Sequence, residues 1–596
     1  MVGILLYITG VQPQPVSASA NHNDQGARMA QIDILAAGTY DDSHASMQYT
    51  NGWKSVAQSS AFNGGHRRTK LANKKISFTF YGGQFALIHT KTSSSGRFSV
   101  TIDGVKYSFN SSRATTKYRA RWLSPSLAVG QHTVVIKKQQ DDGKPIYVDG
   151  VIIYGPLESP TNTATATPTV PQTGMTYYVS TNGNDASSGG QSAPWRTIQK
   201  AANIASKGDT IIVLAGNYPE RVKISRSGEA GKSITFQAQG TVITKGFTLT
   251  ANYVTIRGFE ITDTPNASTD GWGIWVSGDY CLIENNYVHY ATRGGIVLFY
   301  IPGQQAANDC IVRNNRLYRN ALTGIEIHGQ NNLVEGNEIW GTIQHHPKWT
   351  SPPTWVDADG IRFHGSGHVF RNNYIHDILY GIPENINPHI DCFQTFTDGN
   401  YKQPASNILF EQNTCVNMQA QSSQEVGKAF MLENASGLTI RNNILRAYRV
   451  IQGINSNNLT IVNNVLTNRL DIPTSSHPSI ISLTNTPNSF IKNNIFFDPL
   501  LHVIYFDDSV SQQGVNMGHN NIYRSNGINI TGTAYPNDLW NVNPMFVNPA
   551  GGNFRLQAVS PLINKGITLS MVKVDFDGKA RPQGSAYEIG AYEWSP

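Results

Sequence analysis

Residues 283–288 read Ile-Glu-Asn-Asn-Tyr-Val, and the form apolar-x-x-Asn-x-apolar returns at 312–317, 334–339, 370–375, 410–415, 440–445, 461–466 and 491–496. The second asparagine positions of these units are 29, 22, 36, 40, 30, 21 and 30 residues apart. Periods of that length mark a solenoid, in which each coil buries its inner face only against its neighbours. Apolar residues at alternate positions supply the inward face of a strand. Asn tolerates the left-handed turn conformation and stacks in ladders along such an array. An all-β solenoid is therefore expected over the larger part of the chain.

A second strand per coil falls between these units, at 273–277, 295–299, 324–328, 360–364, 392–396 and 429–433. Aligning them yields three outward columns: Thr323, Asp359, Asp391 and Lys428; Trp275, Val297, Glu326, Arg362, Gln394 and Met431; Ser277, Phe299, His328, His364, Phe396 and Glu433. In the segment from Asp359 to His364, Ile361 and Phe363 should point inward and Arg362 and His364 outward. Asp359 and Asp391 would lie about one strand spacing apart, ~4.8 Å. Like charges that close are costly unless a cation, a proton or chemistry compensates.

The two longest periods flank this pair. Their extra residues carry His345, His346, Trp349 and Trp355 on one side and Tyr380, Glu384 and His389 on the other. Long loops rimming a regular scaffold are usual places for binding and catalysis. Trp349 and Trp355 are candidates for a sugar platform or for packing on the solenoid. Three functional readings of the Asp pair stand open: a Ca²⁺ site, the paired carboxylates of a glycosidase, or supports for a catalytic His or Arg. A plain turn-capping role stands beside them. The outward placement leads us to expect that Asp359→Asn and Asp391→Asn each abolish turnover at nearly unchanged stability.

The remainder of the 596 residues divides by composition. Residues 1–29 hold an apolar run and a Ser-Ala-Ser-Ala stretch, a degenerate leader without a preceding Lys or Arg, which points to export to the cell surface or medium. Residues 30–157 alternate in short runs separated by turns, as in a β-sandwich. Residues 158–174 are rich in Pro and Thr and form a linker. The solenoid occupies 175–540 and a closing segment 541–596. The net charge of +6 carries no basic cluster, so no nucleic-acid partner is expected, and no apolar run is long enough to span a bilayer. The chain is read as a monomer. Cys281 and Cys310 are 29 residues apart, like Asn286 and Asn315, and should stack as a disulfide or a thiol ladder; Cys392 and Cys415 share no repeat position and are expected to be unpaired.

Several motifs resemble known families. Tyr40-Asp41-Asp42, Trp53, Ile102-Asp103-Gly104, Trp122, the Gly130–His132 turn and Asp149-Gly150-Val151 resemble jelly-roll accessory modules of bacterial glycan-active enzymes. That resemblance implies a carbohydrate-binding module, with Trp53, Tyr118 and Trp122 as stacking candidates or core. The loop from Ser180 to Asp185, Pro194-Trp195-Arg196-Thr197 before a short helix, and Gly208-Asp209-Thr210-Ile211 resemble the N-terminal cap of right-handed parallel β-helix proteins. Asn543-Pro544-Met545-Phe546 and Ile589-Gly590-Ala591-Tyr592 resemble the closing segment of such proteins, which is expected to cap the last coil.

The helix as a whole resembles the pectate-lyase-like superfamily. Asp359-Gly360, then Asp391 a coil later, then Lys428 another coil on, is similar to calcium-dependent polysaccharide lyases. The resemblance implies Ca²⁺ on Asp359 and Asp391 and proton removal by Lys428, although Lys428 stands in the Asp column and Met431 three positions beyond it. The run Asn387-Pro388-His389-Ile390-Asp391, with Tyr380-Gly381 upstream, resembles β-helix alginate epimerases and implies His389 as base and Tyr380 as acid. Arg362 would neutralise a uronate carboxylate. His364 joins this catalytic set, while Glu326, His328, Gln394, Glu433, Trp349 and Trp355 would line subsites. The expected function is cleavage of an acidic polysaccharide by β-elimination. A glycoside hydrolase using Asp359 and Asp391, or a non-catalytic glycan-binding surface protein, are the alternatives.

Overall fold

The computed structural model describes residues 34–35, 38–58, 61, 65–82, 84–114, 116–124, 127, 130–154, 174–300, 306–350, 357–385, 388–397, 403–418, 427–468, 479–527, 530 and 532–595. The leader, nearly all of the linker and Trp355 lie outside these residues.

Two compact units divide the chain. The first is a sandwich of two largely antiparallel sheets. In one, Gly130–Lys138 pairs with Lys75–Gly82 and Arg97–Ile102; in the other, Ile146–Tyr154 pairs with Gly38–Asp41, Gly65–Thr69 and Gln84–Lys91. Phe78 and Phe80 of the first sheet meet Phe85 of the second at ring distances of 5.5 and 5.4 Å. Asp103 (φ 47°) and Gly104 (φ 87°) form the tight turn between Arg97–Ile102 and Val105–Asn110, since both central residues of such a hairpin need positive φ. Trp53 donates from its indole nitrogen to the Lys75 carbonyl at 3.2 Å.

The second unit is a right-handed parallel β-helix. Its outer strands form one sheet of 24 and one of 11, the latter running from Val222–Ile224 to His502–Phe506. The helix Ile198–Ile204 buries Ile198, Ala201 and Ala202 against the first coils, with Thr197 as its N-cap.

The paired asparagines divide their work. The first residue of each pair takes the left-handed conformation: Asn285, Asn314, Asn372, Asn442, Asn463 and Asn493 have φ between 53° and 58°. The second enters a buried ladder. Asn337 donates from Nδ2 to Asn373 Oδ1 at 3.0 Å, Asn373 likewise to Asn413 and Asn413 to Asn443, while each side chain also donates to a backbone carbonyl and accepts a backbone N–H. The corner of each coil is thus fully paired although buried.

Two expectations are corrected. The closing segment lies back along the flank of several coils instead of only covering the last one. Asn442 donates to the Val574 carbonyl, Asn463 to Glu588, Asn493 to Ile567 and Gln412 to Asp575. The second correction concerns the cysteines. Cys392 and Cys415 form a disulfide, while Cys281 and Cys310 remain buried free thiols, the Cys281 N–H pointing at Cys310 Sγ at 3.3 Å. A Cβ on Gly324 would meet Ile339, and one on Gly360 would meet Ile375, at 2.4 and 2.6 Å. Cys392 follows Gly360 and Cys415 follows Ile375 in their sheets. The disulfide therefore bridges the interior of one coil, where other coils set a glycine against a branched side chain.

Candidate functional site

The 11-stranded sheet sets Thr323–Ile327, Asp359–Phe363, Asp391–Thr395 and Lys428–Glu433 side by side. Its register pairs Thr323 with Asp359, Asp391 with Lys428, Glu326 with Arg362, Arg362 with Gln394 and Gln394 with Met431, as the outward columns require. Strict alternation breaks at one place. A Cβ on Gly360 would point into the core, and Ile361 is itself a core residue, so two successive positions face inward. Asp359 and Arg362, three apart, consequently share the outer face. Beneath them Phe363, Phe370, Phe393, Phe410 and Phe430 pack ring on ring, Phe393 against Phe430 at 4.7 Å.

Asp359 is closed off from water. Its Oδ2 accepts from Arg362 Nε at 2.7 Å and its Oδ1 accepts the Asp391 backbone N–H at 3.0 Å. Asp391, equally buried, receives Gln394 Nε2 on Oδ2 at 3.3 Å, and its Oδ1 lies 3.6 Å from Lys428 Nζ. Burial pushes the Asp359 carboxyl well above the usual range, Arg362 pulling it down and Asp357 and Asp391 pushing it up. Burial likewise raises Asp391 against the pull of Lys428. Donors face both Asp359 oxygens. Burial works against the Arg362 charge, but Asp359, Asp357 and Glu326 outweigh it and hold the guanidinium above its ordinary range.

Asp357 joins this group although the sequence columns do not contain it. Its Oδ2 accepts from Arg362 Nη2 at 3.1 Å and from Gln394 Nε2 at 3.4 Å, and its Oδ1 lies 3.6 Å from His389 Nδ1. It precedes the strand by two positions and belongs to no column, so register gave no signal. The available signal was the spacing Asp-x-Asp-x-x-Arg from 357 to 362, which lets one guanidinium hold two carboxylates. His389 is the open member of the group, its side chain 48 % exposed against 10 % for Arg362 and Lys428.

A second cluster lies one step along the columns. His328 Nε2 is 2.9 Å from Glu326 Oε1, and the rings of His328 and His364 stack at 4.8 Å. Burial works to raise the Glu326 carboxyl, but His328 and the nearby Arg362 outweigh it and hold it well below its ordinary range.

The remaining candidates have contacts of their own. Tyr380 packs against the hydrophobic interior, and Glu433 pairs in register with Ile454. Glu384 is bonded to Arg319, and Trp349 approaches the His345 ring at 6.4 Å. His346 is buried, with Nε2 3.2 Å from the Tyr290 carbonyl.

Asp359 and Asp391 fit a calcium ion poorly. Hard cations of that size take 6–8 oxygen ligands, whereas here Arg362, Lys428, Gln394 and a backbone N–H face those carboxylate oxygens. The chain's own cations stand where a calcium would bind.

Residues 177–379 match the family model described as "Pel9A-like, right handed beta helix region". The "Uncharacterized protein YwoF" of Bacillus subtilis (strain 168) is 32 % identical over 130 residues, which covers 19 % of this chain and 28 % of that protein. The chain thus spans under a third of the curated relative it matches. Among solved structures, pectate lyase Pel9A is 20 % identical, covering 71 % of this chain and 96 % of its own, at a TM-score of 0.45. The GH87 alpha-1,3-glucanase from Streptomyces thermodiastaticus strain HF3-3 is 14 % identical, covering 85 % and 95 %, at a TM-score of 0.39. The second unit of the chain is a right-handed parallel β-helix, and residues 177–379 within it match the Pel9A-like model.

Proposed function

We propose that this protein is an exported carbohydrate-active enzyme that cleaves an acidic polysaccharide by β-elimination. The observation that carries this reading is a pair of cations, Arg362 and Lys428, seated on buried carboxylates beside the open pair His389–Asp357. Two fixed cations suit the carboxylate of a uronate, and neutralising that carboxylate acidifies the proton on the adjacent carbon. His389 takes that proton, with Asp357 stabilising the imidazolium that forms. The electron pair becomes a carbon–carbon double bond as the glycosidic carbon–oxygen bond breaks; the leaving oxygen takes a proton from water, and the hydroxide so formed takes the proton from His389. Asp359 and Asp391 act as counter-anions that position Arg362 and Lys428. No step is routed through a calcium ion on Asp359 and Asp391.

The Pel9A-like region supports a polysaccharide substrate, and the disulfide Cys392–Cys415 supports an oxidising compartment. A hydrolase is the second reading, favoured by the raised carboxyls of Asp359 and Asp391 and disfavoured by their burial. Carboxyl reduction separates the two. Turnover on a polyuronate is expected to vanish on the carboxyl-reduced polymer; equal turnover on both would assign the cleavage to hydrolysis.

A further inference from the structure

Among the described residues, Glu326, His328 and His364 each offer a ligand atom within 4.8 Å of the others, and all three are buried. They come from two adjacent coils. Glu326 and His328 lie two apart on one strand, and the register that pairs Glu326 with Arg362 places His364 beside His328. Such a group on the outer face of a solenoid is unusual. Imidazoles there are ordinarily solvated, yet His328 and His364 are 1 % and 0 % exposed.

The surroundings hold the three in place. Phe299 contacts the His328 ring edge-on at 5.4 Å, and Phe396 does the same to His364 at 5.6 Å, so apolar rings bracket the imidazole pair along its column. Asn332 donates to the His328 carbonyl at 2.9 Å. His368 Nε2 lies 2.9 Å from the His364 carbonyl, and its Nδ1 accepts the Asn332 N–H at 3.1 Å. Both backbones are thereby locked. Glu326 makes one hydrogen bond to an imidazole nitrogen, and the other His328 nitrogen, Nδ1, is buried with no hydrogen-bond partner.

We propose that Glu326, His328 and His364 bind one divalent transition-metal ion of the zinc class. Two imidazole nitrogens with one carboxylate oxygen form a donor set for zinc, iron or nickel rather than for calcium or magnesium, which take oxygen. Ligand atoms ~2.1 Å from one ion lie at most ~4.2 Å apart, so closing the group around a metal takes side-chain shifts of under ~1 Å. Each imidazole ligates through a nitrogen that carries no hydrogen, so the ion takes the place of the hydrogen between His328 and Glu326. The apolar bracket keeps competing water away from the ligands. Arg362 lies between this group and the Asp359–Asp391 pair, but metal binding does not depend on the elimination reading.

The test uses the full chain, stripped with a chelator, freed of it by dialysis and titrated with zinc chloride. One zinc per chain is expected by elemental analysis, and cobalt(II) in its place should give the visible absorption of nitrogen-ligated cobalt. Glu326→Gln keeps shape and the bond to His328 but loses the anion, and should weaken zinc binding by at least about tenfold. Since His364→Asn perturbs a buried column, its melting curve is recorded alongside; a folded variant should also lose the cobalt absorption. Wild-type protein that binds no zinc, or a Glu326→Gln variant that binds it as wild type does, would overturn the proposal. So would calcium binding more tightly than zinc at these residues.

Discussion

Arg362 Nε stands 2.7 Å from Asp359 Oδ2, three positions back on the same strand. The contact exists because residues 360 and 361 both turn inward, which brings 359 and 362 to one face. Gln394 repeats it with Asp391 on the next coil at 3.3 Å. The cation that would read a substrate is therefore held by a carboxylate that water does not reach.

Burial replaces the expectation that the Asp→Asn variants keep their stability. Asp359→Asn removes one partner of a buried ion pair and leaves Arg362 with Asp357 and the nearby Glu326. It should cost about 3 kcal/mol in denaturant unfolding as well as abolish turnover. The double change Asp359→Asn/Arg362→Met should regain part of that stability but no activity. Unchanged stability in the single variant would mean that the pair is not closed to water.

The disulfide predicts a redox response. Cys392–Cys415 closes a loop of 23 residues in the coil that carries Asp391. Reduction, or Cys392→Ala with Cys415→Ala, should destabilise that coil by about 3 kcal/mol. Melting with and without reductant checks it; a Tm unmoved by reductant would remove the staple from the account.

Asn413 engages four backbone or side-chain groups at a buried corner. Asn413→Ala leaves the Phe370 carbonyl, the Asn443 amide oxygen and the Asn373 N–H and amide without these bonds. At about 1–3 kcal/mol per unsatisfied buried group, the loss should reach at least about 3 kcal/mol. Asn372→Gly, at the left-handed position one coil earlier, should cost far less, as Gly336 already occupies the matching place. Equal losses from the two would contradict the division of roles.

The repeat, both faces of each coil, the helical cap and the outward columns were legible in the sequence because each depends on periodicity. What was hidden depended on contacts across a coil. Asp357 lies outside the register, and the Cys392–Cys415 bond joins two different columns. The stacking of Cys281 on Cys310 follows from their spacing along the axis, whereas the disulfide follows from the relation across a coil that sets Gly324 against Ile339 and Gly360 against Ile375. The path of the closing segment was invisible for the same reason. Its partners are the left-handed Gln412, Asn442, Asn463 and Asn493, and nothing in the repeat says which chain segment meets them.

Glu588 in that segment supplies a pH prediction. Burial, then the hydrogen bond and the charge of Glu593, push its carboxyl up to about 8 from 4.5. The folded state holds this proton more tightly than the unfolded chain does. The contribution to stability is therefore complete below about 4.5 and is lost as pH rises through about 8. Glu588→Gln should flatten the fall of Tm across that window; an unchanged slope would show that Glu588 does not carry it.

The most direct test of the elimination reading compares two signals from one digest of a polyuronate by the wild-type chain. The account predicts that every new reducing end is matched by one ultraviolet-absorbing unsaturated uronide, and that His389→Ala removes both. Reducing ends that accumulate without ultraviolet absorbance would contradict it and assign the cleavage to hydrolysis.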